Sequence, residues 1–412
     1  MTKSIASPRA WAVLAGMILI QAGMMGVLIN CTGIVFSAVL EDCGFRAGDL
    51  SVYYTIRSLA SAAAVGITSR LFFRFGGKAV MAALGATLAL SFGSMYFFNS
   101  LWQWYLSGIF AGIGMSCIMV VMPVVLNNWF QAHNGLIIGL AMSSSGIAGA
   151  VFSPLCSALV TALGWRMAAV VTACIGGVLI VVPSLLLIAV APDGAAQTGA
   201  PRSGRVSGAP SASPVPGWVF PACLVALIGA GCLTQFNNQL PTFAISAGYP
   251  LSVGAALTSL AMTGNVAGKL CMGALSDRIG IYRAIRAVLA AVGAVMVLFL
   301  LGKQYPPILY LGSLIYGTVY ALATTMPSLL LLDLYGKGEY QGRVSSLQAV
   351  SGLVFAFASS GFPYLYDLSG SFDIVFVLGA CLCLLAFVLV GRLQRFAARR
   401  DARQPDAVET AA

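Results

Sequence analysis

The chain has 412 residues, of which 59% are hydrophobic and only 8% are charged, and its mean hydropathy is +0.93. Soluble domains carry roughly 25% charged residues, so this composition excludes a soluble enzyme and requires lipid as part of the solvent. The formal net charge of +10 has to be related to a membrane, because Lys and Arg in short loops set the orientation of membrane-spanning helices.

Apolar segments recur along the chain, and each is long enough to cross about 30 Å of hydrocarbon as a helix. We predict an all-α membrane protein with twelve transmembrane helices, at residues 11–35, 48–71, 79–98, 103–126, 135–162, 166–190, 218–246, 252–276, 284–302, 306–334, 343–366 and 373–391.

The segment between the sixth and seventh spans, residues 192–216, is rich in Gly, Ala, Ser and Pro. Such a composition is typical of a flexible linker. The predicted domains are an N-terminal six-helix bundle at 1–191, this cytoplasmic linker, a C-terminal six-helix bundle at 217–392 and a basic cytoplasmic tail at 393–412.

The basic residues are distributed unequally between the two sides of the predicted membrane. Placing both termini in the cytoplasm assigns 17 Lys and Arg to that side, whereas the opposite loops hold only Arg46, Arg166 and Lys303. This excess predicts a multi-pass protein of the cell inner (cytoplasmic) membrane with both termini in the cytoplasm. Anionic membrane lipid is a sufficient partner for the basic tail, so no nucleic acid partner is expected.

The two halves of the sequence resemble each other at a constant separation of 204 residues. Matching pairs are Gly44 and Gly248, Arg74 and Arg278, Gly76 and Gly280, Gly108 and Gly312, and Pro123 and Pro327. A repeat of six spans that starts in the cytoplasm each time predicts two pseudo-symmetric six-helix bundles, which rock about a site held between them.

The residues from Gly273 to Gly280 follow the eighth span and read GALSDRIG. They resemble the loop motif GxLxDRxG of the major facilitator superfamily. The first half carries a decayed copy, in which Ser69 replaces the opening glycine and Phe73 replaces the aspartate. The resemblance covers essentially the whole chain, and it implies the major facilitator fold and transport by alternating access.

Two further stretches, from Asn127 to Gly139 and from Tyr364 to Gly370, are similar to the monocarboxylate transporters and oxalate:formate antiporters within that superfamily. The sequence departs from this group at residues 132–134, which read Ala-His-Asn where the group usually has arginines. The resemblance implies that the substrate is a small organic anion, either a mono- or a dicarboxylate.

Two basic residues lie inside the predicted spans, Arg57 in the second and Lys269 in the eighth. A charge in hydrocarbon is costly, so each has to face a cavity or a partner. Lys269 also aligns with a position where the group carries an anion-binding arginine, so the resemblance implies substrate contact there. The alternatives are snorkelling of Lys269 toward the cytoplasm and a structural hydrogen bond from Arg57 to backbone carbonyls or a neighbouring span.

Polar and aromatic residues on the cavity-type spans are further candidates for substrate binding. Amide and phenol groups can orient a polar solute, and they also commonly bridge helices. These candidates are Gln21, Asn30, Gln235, Asn237, Asn238, Asn265, Tyr316 and Tyr320.

The gating candidates begin with the loop motif, from which we select Gly273, Asp277, Arg278 and Gly280. Asp277 is predicted to lie near the N-terminal end of the fifth span, where the helix dipole favours an anion. We expect it to latch the cytoplasmic gate.

Pairs with GxxxG spacing occur on the fifth and eighth spans, which the superfamily fold brings together. Small residues at such a crossing let two backbones approach and slide. The gating candidates on these spans are Gly139, which pairs with Gly135, and Gly264 and Gly268.

No carboxylate is obvious at cavity depth, since Asp333 lies near the cytoplasmic end of the tenth span. This favours secondary transport by exchange, or facilitated flux, over a dedicated proton symport site. The alternatives are efflux of a drug-like amphiphile and a non-transporting membrane sensor.

An enzyme is not expected. The single histidine, His133, lies in a loop and no HExxH or GxSxG motif is present, while Gly264 to Lys269 lacks the spacing of a phosphate-binding loop. We therefore expect no cofactor, no metal site and no nucleotide, and we expect a monomer.

Overall fold

The computed structural model describes residues 8–130, 134–188 and 215–401. Regular secondary structure in these ranges is entirely helical. The α-helices are α1 (Pro8–Gln21), α2 (Asn30–Cys43), α3 (Ala47–Phe75), α4 (Gly77–Gly93), α5 (Leu101–Trp129), α6 (Asn134–Leu186), α7 (Val219–Gly231), α8 (Leu240–Ser246), α9 (Leu251–Ile279), α10 (Ile281–Leu301), α11 (Pro306–Tyr316), α12 (Val319–Ser369) and α13 (Asp373–Asp401).

The helices account for the twelve predicted spans. Ten helical stretches of the described chain are long and apolar enough to cross a membrane, and one of them, Leu140–Leu186, has the 47 residues needed for two crossings. The chain reverses inside this stretch at Gly164, whose φ of 77° lies outside the helical region. The 29-residue helix α9 supplies the remaining span, the eighth. The predicted all-α membrane fold is therefore confirmed.

The connection between the tenth and eleventh spans differs from the prediction. The predicted spans end at residue 334 and begin again at 343, but helix α12 continues through the residues between them, which include Gly336, Gly338 and Gly342. The residues between the glycines include Lys337, Glu339 and Gln341, which are good helix formers. A glycine costs a helix about 1 kcal/mol relative to alanine, which flanking helical turns can offset.

Three spans that were predicted as regular helices are interrupted. The first span becomes a π-helix at Ala22–Ile29, and the seventh narrows to a 3₁₀-helix at Cys232–Gln239. The tenth span breaks at residues 317–318, between α11 and α12. Irregular backbone at membrane depth persists only where protein groups satisfy it or where it lines a cavity. Hydropathy carries no signal for such interruptions, so the sequence did not predict them.

The internal repeat is visible in the backbone as well as in the sequence. Gly44 and Gly248 both have a positive φ, of 67° and 85°, and Gly76 and Gly280 both have a φ of 82°. A positive φ is readily adopted only by glycine, so each pair fixes the same chain reversal in the two halves.

The chain forms two compact units whose limits cross the repeat. The first unit contains residues 1–204 together with 237–263 and 359–371, and the second contains 205–236, 264–358 and 372–412. The predicted domain limits, at 191 and at 217–392, remain predictions. Most of the predicted linker lies outside the described residues, and α13 extends as a helix to Asp401, into the predicted tail.

Inside the first unit, parts of the second repeat pack directly on the N-terminal half. Ser259 Oγ of α9 donates to the carbonyl oxygen of Ala150 in α6 at 2.6 Å. Asn30 Nδ2 of α2 lies 3.3 Å from the sulfur of Met262 in α9. The fifth and eighth spans therefore meet in this unit.

Inside the second unit, aromatic rings join the seventh, tenth and twelfth spans. The ring centroid of Phe236 lies 6.2 Å from that of Tyr316 and 5.4 Å from that of Phe376. Edge-to-face ring contacts of this kind stabilise packing where lipid provides no hydrophobic drive between helices.

Candidate functional site

Arg57 is a buried cation in the middle of α3. Its side chain is 6% exposed, and its Nε and Nη1 atoms have no hydrogen-bond partner among the described residues. The ion pairs found in the described part of the chain do not include it. A buried guanidinium with unused donors is costly unless an anion or another acceptor satisfies it. The Nε and Nη1 donors are therefore available to an anion or another acceptor.

Two tyrosines hold the guanidinium of Arg57 in place. Its Cζ atom lies 5.6 Å from the ring centroid of Tyr53 and 5.1 Å from that of Tyr54. These residues precede Arg57 by one helical turn, so all three side chains share one face of α3. Stacking on aromatic rings stabilises the cation without using its N–H donors. Neither tyrosine was predicted from the sequence, although their spacing from Arg57 was a usable signal.

The tyrosines belong to an aromatic cluster with Phe36 and Trp104. The ring of Phe36 lies 5.2 Å from that of Tyr53, 5.1 Å from that of Tyr54 and 5.2 Å from that of Trp104. The hydroxyl of Tyr54 and the Nε1 atom of Trp104 are buried and have no hydrogen-bond partner among the described residues. Near Arg57, therefore, a phenol hydroxyl and an indole N–H are also without partners among the described residues.

Close helix packing fixes the backbone at Arg57. A Cβ atom at Gly112 of α5 would lie 2.3 Å from the carbonyl oxygen of Arg57. Any side chain at position 112 would collide with this oxygen, so α5 can pack this closely on α3 only with glycine there. The helix that carries the cation is therefore held by backbone contact as well as by side chains.

Lys269 lies in the second unit, on α9, and is partly buried. Asn265, one turn earlier on the same helix, is 4% exposed, and its Oδ1 atom has no partner among the described residues. Residues four apart share one helix face, so Asn265 and Lys269 lie on the same face of α9. The ion pairs of the described chain do not include Lys269.

The amide candidates of the first unit fall into two kinds. Gln21 and Asn237 are buried, and their side-chain oxygens have no partner among the described residues. By contrast, the Nδ2 atom of Asn30 contacts the carbonyl oxygen of Ser145 at 3.5 Å as well as Met262. Asn238 belongs to a close helix contact. A Cβ atom at Gly33 would lie 2.5 Å from the backbone carbonyl oxygen of Asn238, so α2 and the seventh span touch there.

The tyrosine candidates of the second unit bind backbone. The hydroxyl of Tyr316 donates to the carbonyl oxygen of Leu233 at 2.6 Å, and that of Tyr320 donates to the carbonyl oxygen of Thr234 at 3.4 Å. Both carbonyls belong to the 3₁₀ segment of the seventh span, whose backbone bonding is weaker than that of an α-helix. Gln235 in the same segment donates to the Thr234 hydroxyl at 3.1 Å. These side chains bridge or brace helices in this conformation.

The gating candidates are only partly described. Arg278 is exposed at the end of α9, and Gly280 turns the chain into α10 with its positive φ. Gly139, Gly273 and Asp277 lie outside the residues whose surroundings are described. The latch and the Gly139 crossing that we predicted for them remain predictions.

At Gly264 and Gly268 the backbone of α9 packs closely against the tenth span. A Cβ atom at Gly264 would lie 1.9 Å from the carbonyl oxygen of Leu314, and one at Gly268 would lie 2.9 Å from the Cα atom of Thr318. Leu314 precedes the break in the tenth span, and Thr318 lies in it. From the sequence we expected these glycines at a crossing with the fifth span. The structure places them against the tenth span. The GxxxG spacing marks a face for close helix contact, but it does not identify which helix makes the contact.

Replacing Gly264 with Ala is expected to destabilise the protein by about 1–3 kcal/mol, since the added methyl group meets backbone rather than a movable side chain. The matched control is Gly352→Ala in α12, where a Cβ atom meets nothing within 4 Å. Thermal unfolding of the purified protein in detergent measures both variants. Equal unfolding temperatures for the two variants would contradict the prediction.

Comparison with known proteins agrees with this architecture. Residues 18–357 match the family model of the Major Facilitator Superfamily. Monocarboxylate transporter 13 of Bos taurus is 25% identical over 395 residues, which cover 92% of this chain and 87% of that protein. Monocarboxylate transporter 11 of Homo sapiens is 25% identical over 269 residues, which cover 65% of this chain and only 56% of the human protein.

Solved structures share the fold at low sequence identity. A variant of the nucleoside transporter NupG matches 92% of this chain and 99% of its own with a TM-score of 0.74 and 13% identity. The human organic anion transporter MFSD10 matches 93% of this chain and all of its own with a TM-score of 0.57 and 17% identity. At such identities these likenesses establish the fold alone.

Proposed function

The chain belongs to the major facilitator superfamily, and on that premise we propose that it moves a small organic anion, a mono- or dicarboxylate, across the cytoplasmic membrane by alternating access. The observation that carries the proposal is the desolvated guanidinium of Arg57 with two unused nitrogen donors. A carboxylate supplies the acceptors and the charge that this group lacks. The names of the monocarboxylate transporters among its relatives point to the same substrate class.

Lys269 is the second cationic group in the proposal. It lies on α9 one turn after Asn265, whose amide oxygen has no partner among the described residues, so this face of the helix offers both a positive charge and an acceptor. An ammonium group is a point charge without the planar fork of arginine, and it binds a carboxylate with less directional preference. We assign Lys269 to substrate contact, and Arg57 to the more directional recognition.

Transport by exchange, or facilitated flux, fits the distribution of acidic groups. The buried charged and polar residues of the described chain include no carboxylate. A proton relay through the protein needs a protonatable group at depth, and buried carboxylates commonly fill that role in pumps and transporters. Exchange of one anion for another needs no such group, because the second anion neutralises the cationic site while it returns to the other side of the membrane.

The proposed orientation places both termini in the cytoplasm. It rests on the excess of Lys and Arg in the loops on the side of the termini, which holds those loops inside during insertion. In this orientation, the turn at Gly44 and the start of α3 lie at the external side.

Counterflow in proteoliposomes tests the proposed function. Vesicles loaded with one unlabelled carboxylate from a panel of mono- and dicarboxylates should accumulate the labelled form faster than unloaded vesicles do. Lys269→Gln should lower the initial rate about tenfold, as expected for the loss of one charged hydrogen bond. Lys303→Gln is the matched control, because Lys303 pairs with Asp373 at a helix end, and its rate should stay within about twofold of wild type.

Failure of the proposal is equally concrete. If no carboxylate in the panel shows counterflow while a neutral solute such as a nucleoside does, the substrate class is wrong. If carboxylates exchange but Lys269→Gln matches its control, the substrate class stands and the assignment of Lys269 falls.

A further inference from the structure

The end of α12, which belongs to the second repeat, is bound to the start of α3 in the first unit. The carboxylate of Asp367 accepts two backbone hydrogen bonds, one from the N–H of Ala47 to Oδ1 at 3.1 Å and one from the N–H of Gly48 to Oδ2 at 2.6 Å. Both donors belong to the first turn of α3, where helix N–H groups have no partner within the helix.

Asp367 supplies the cap that the sequence beside α3 does not. The N-cap position is Arg46, whose side chain makes no capping bond. An anion at this point also interacts favourably with the positive end of the helix dipole. A residue 320 positions away in sequence therefore satisfies the end of the helix that carries Arg57.

The contact continues along α3 toward Arg57. The hydroxyl of Tyr364 donates to Asp49 Oδ1 at 2.9 Å, and that of Ser360 donates to the carbonyl oxygen of Ser51 at 2.7 Å. The hydroxyl oxygens of Thr55 and Ser360 are 2.7 Å apart. The three α12 residues, Ser360, Tyr364 and Asp367, are spaced three to four apart and so share one helix face. On α3 the bonds run from the first turn to Thr55, two residues before Arg57.

Steric fit accompanies these bonds. A Cβ atom at Gly48 would lie 2.4 Å from the ring of Tyr364, so the absence of a side chain at position 48 lets the ring contact the backbone of α3 closely. Ser51, Thr55 and Ser360 are each at most 9% exposed. The contact thus excludes solvent from this face of α3 down to the level of Thr55.

We propose that Asp367, Tyr364 and Ser360, with residues 47–55 of α3, form a polar zipper that closes the external path to Arg57 and opens in every transport cycle. The cycle and the external side are those of the proposed function, on which this inference rests. Alternating access requires that contacts between the two repeats on one side of the membrane break and re-form. Every bonded group in the zipper is polar and can bind water when the helices part, so opening leaves no donor or acceptor unsatisfied.

The neighbouring contacts fit this role. Gln239, at the end of the 3₁₀ segment of the seventh span, places its Nε2 atom 3.5 Å from the hydroxyl of Ser51. Tyr105 of α5 donates to the backbone carbonyl of Asp49 at 2.9 Å, which joins the same turn of α3 to another helix of the N-terminal half. The start of α3 is therefore fixed on one side and bound by releasable hydrogen bonds on the other.

Cysteine accessibility tests the zipper without any substrate. Ser51 is 2% exposed, and Ser51→Cys places a nearly isosteric thiol beneath the zipper. The variant is made with Cys43→Ser, which removes the partly exposed native thiol at the C-terminal end of α2. Right-side-out vesicles are treated with a membrane-impermeant maleimide, and labelling is measured above that of the parent with Ser51 intact.

Asp367→Asn should raise the initial labelling rate of the thiol introduced at position 51 about tenfold, because it removes a charge-assisted pair of hydrogen bonds and brings an NH₂ group to two N–H donors. Asp373→Asn is the matched control. It removes a helix-end carboxylate that pairs with Lys303 and belongs to the second unit, and its labelling rate should stay within about twofold of the Ser51→Cys protein.

Tyr364→Phe keeps the ring against Gly48 and removes only the bond to Asp49, so it should raise labelling about threefold even if Asp367→Asn fails to fold. A folded Asp367→Asn protein that labels no faster than the Ser51→Cys protein overturns the zipper, as does labelling only from the side of the termini. Both labelling results are obtained without measuring carboxylate flux. A wrong substrate assignment is therefore recognised separately, by the absence of carboxylate counterflow.

Discussion

Replacing Arg57 with Gln is expected to lower carboxylate binding about 100-fold, which corresponds to about 3 kcal/mol. The guanidinium is desolvated in advance and held between two tyrosine rings, so its unused donors are already oriented when the anion arrives. Counterflow rates and the substrate concentration at half-maximal rate measure the loss. Arg57→Lys should recover part of the affinity, because it keeps the charge and loses the planar fork.

The stability of the ligand-free protein should change in the opposite direction. Arg57→Gln removes a buried charge that has no counter-charge in the described chain. Burying an unpaired charge raises the free energy of the folded state, so its removal should stabilise that state. We expect an unfolding temperature in detergent that is equal to or above that of wild type. If Arg57 served only to bridge helices, the same substitution would lower the unfolding temperature and leave binding nearly intact.

A matched control is available for the Arg57 experiment. Arg166 also lies beside an aromatic ring, with its Cζ atom 4.2 Å from the Trp165 centroid, but it pairs with Asp42 at 3.1 Å and its side chain is 36% exposed. Arg166→Gln removes the same charge from a surface pair, which is worth little in water. Its flux should stay within about twofold of wild type, and a loss equal to that of Arg57→Gln would mean that net charge, not position, accounts for the effect.

The sequence predicted the helices well because hydrophobic length is a strong signal in lipid. A span needs about 20 apolar residues, and no soluble segment imitates that pattern repeatedly. The positive φ values at Gly44 and Gly248 follow from the same repeat that the sequence revealed. The fold was therefore accessible from composition, periodicity and one loop motif.

The irregular parts of the fold depend on tertiary contacts, and the sequence could not show them. The π-helical turn of the first span holds Gly26 against Ala148, where an added Cβ atom would lie 2.3 Å from the Ala148 side chain. The 3₁₀ segment of the seventh span is braced by hydroxyls from Tyr316 and Tyr320. In both cases the backbone adapts to a partner that is distant in sequence.

The candidate site was only partly predictable for a related reason. Arg57 was identified because a charge inside a span is rare, whereas Tyr53 and Tyr54 look like ordinary packing residues until the direction of the guanidinium is known. Asp367 lies in a stretch that resembles the monocarboxylate group, but only the folded chain reveals that its carboxylate caps α3. Contacts between residues more than 300 positions apart have no signature in a single sequence.

A disulfide across the zipper is expected to stop transport. The hydroxyl oxygens of Thr55 and Ser360 are 2.7 Å apart, so the double variant Thr55→Cys/Ser360→Cys places two thiols within reach of a bond. A covalent link between α3 and α12 removes the externally open state from the cycle. Oxidation should therefore lower counterflow about tenfold or more, limited by the unlinked fraction, and a reductant should restore it.

The control for this lock is a second hydroxyl pair of the same kind. Thr68 of α3 and Ser116 of α5 have their hydroxyl oxygens 2.6 Å apart, and both residues belong to the N-terminal half. Thr68→Cys/Ser116→Cys carries the same chemistry at a contact within one repeat, which has no need to open. If α3 and α12 separate during transport, only the Thr55/Ser360 link inhibits on oxidation. Full flux through protein verified by mass spectrometry as linked at 55 and 360 would show that these two helices stay together throughout the cycle.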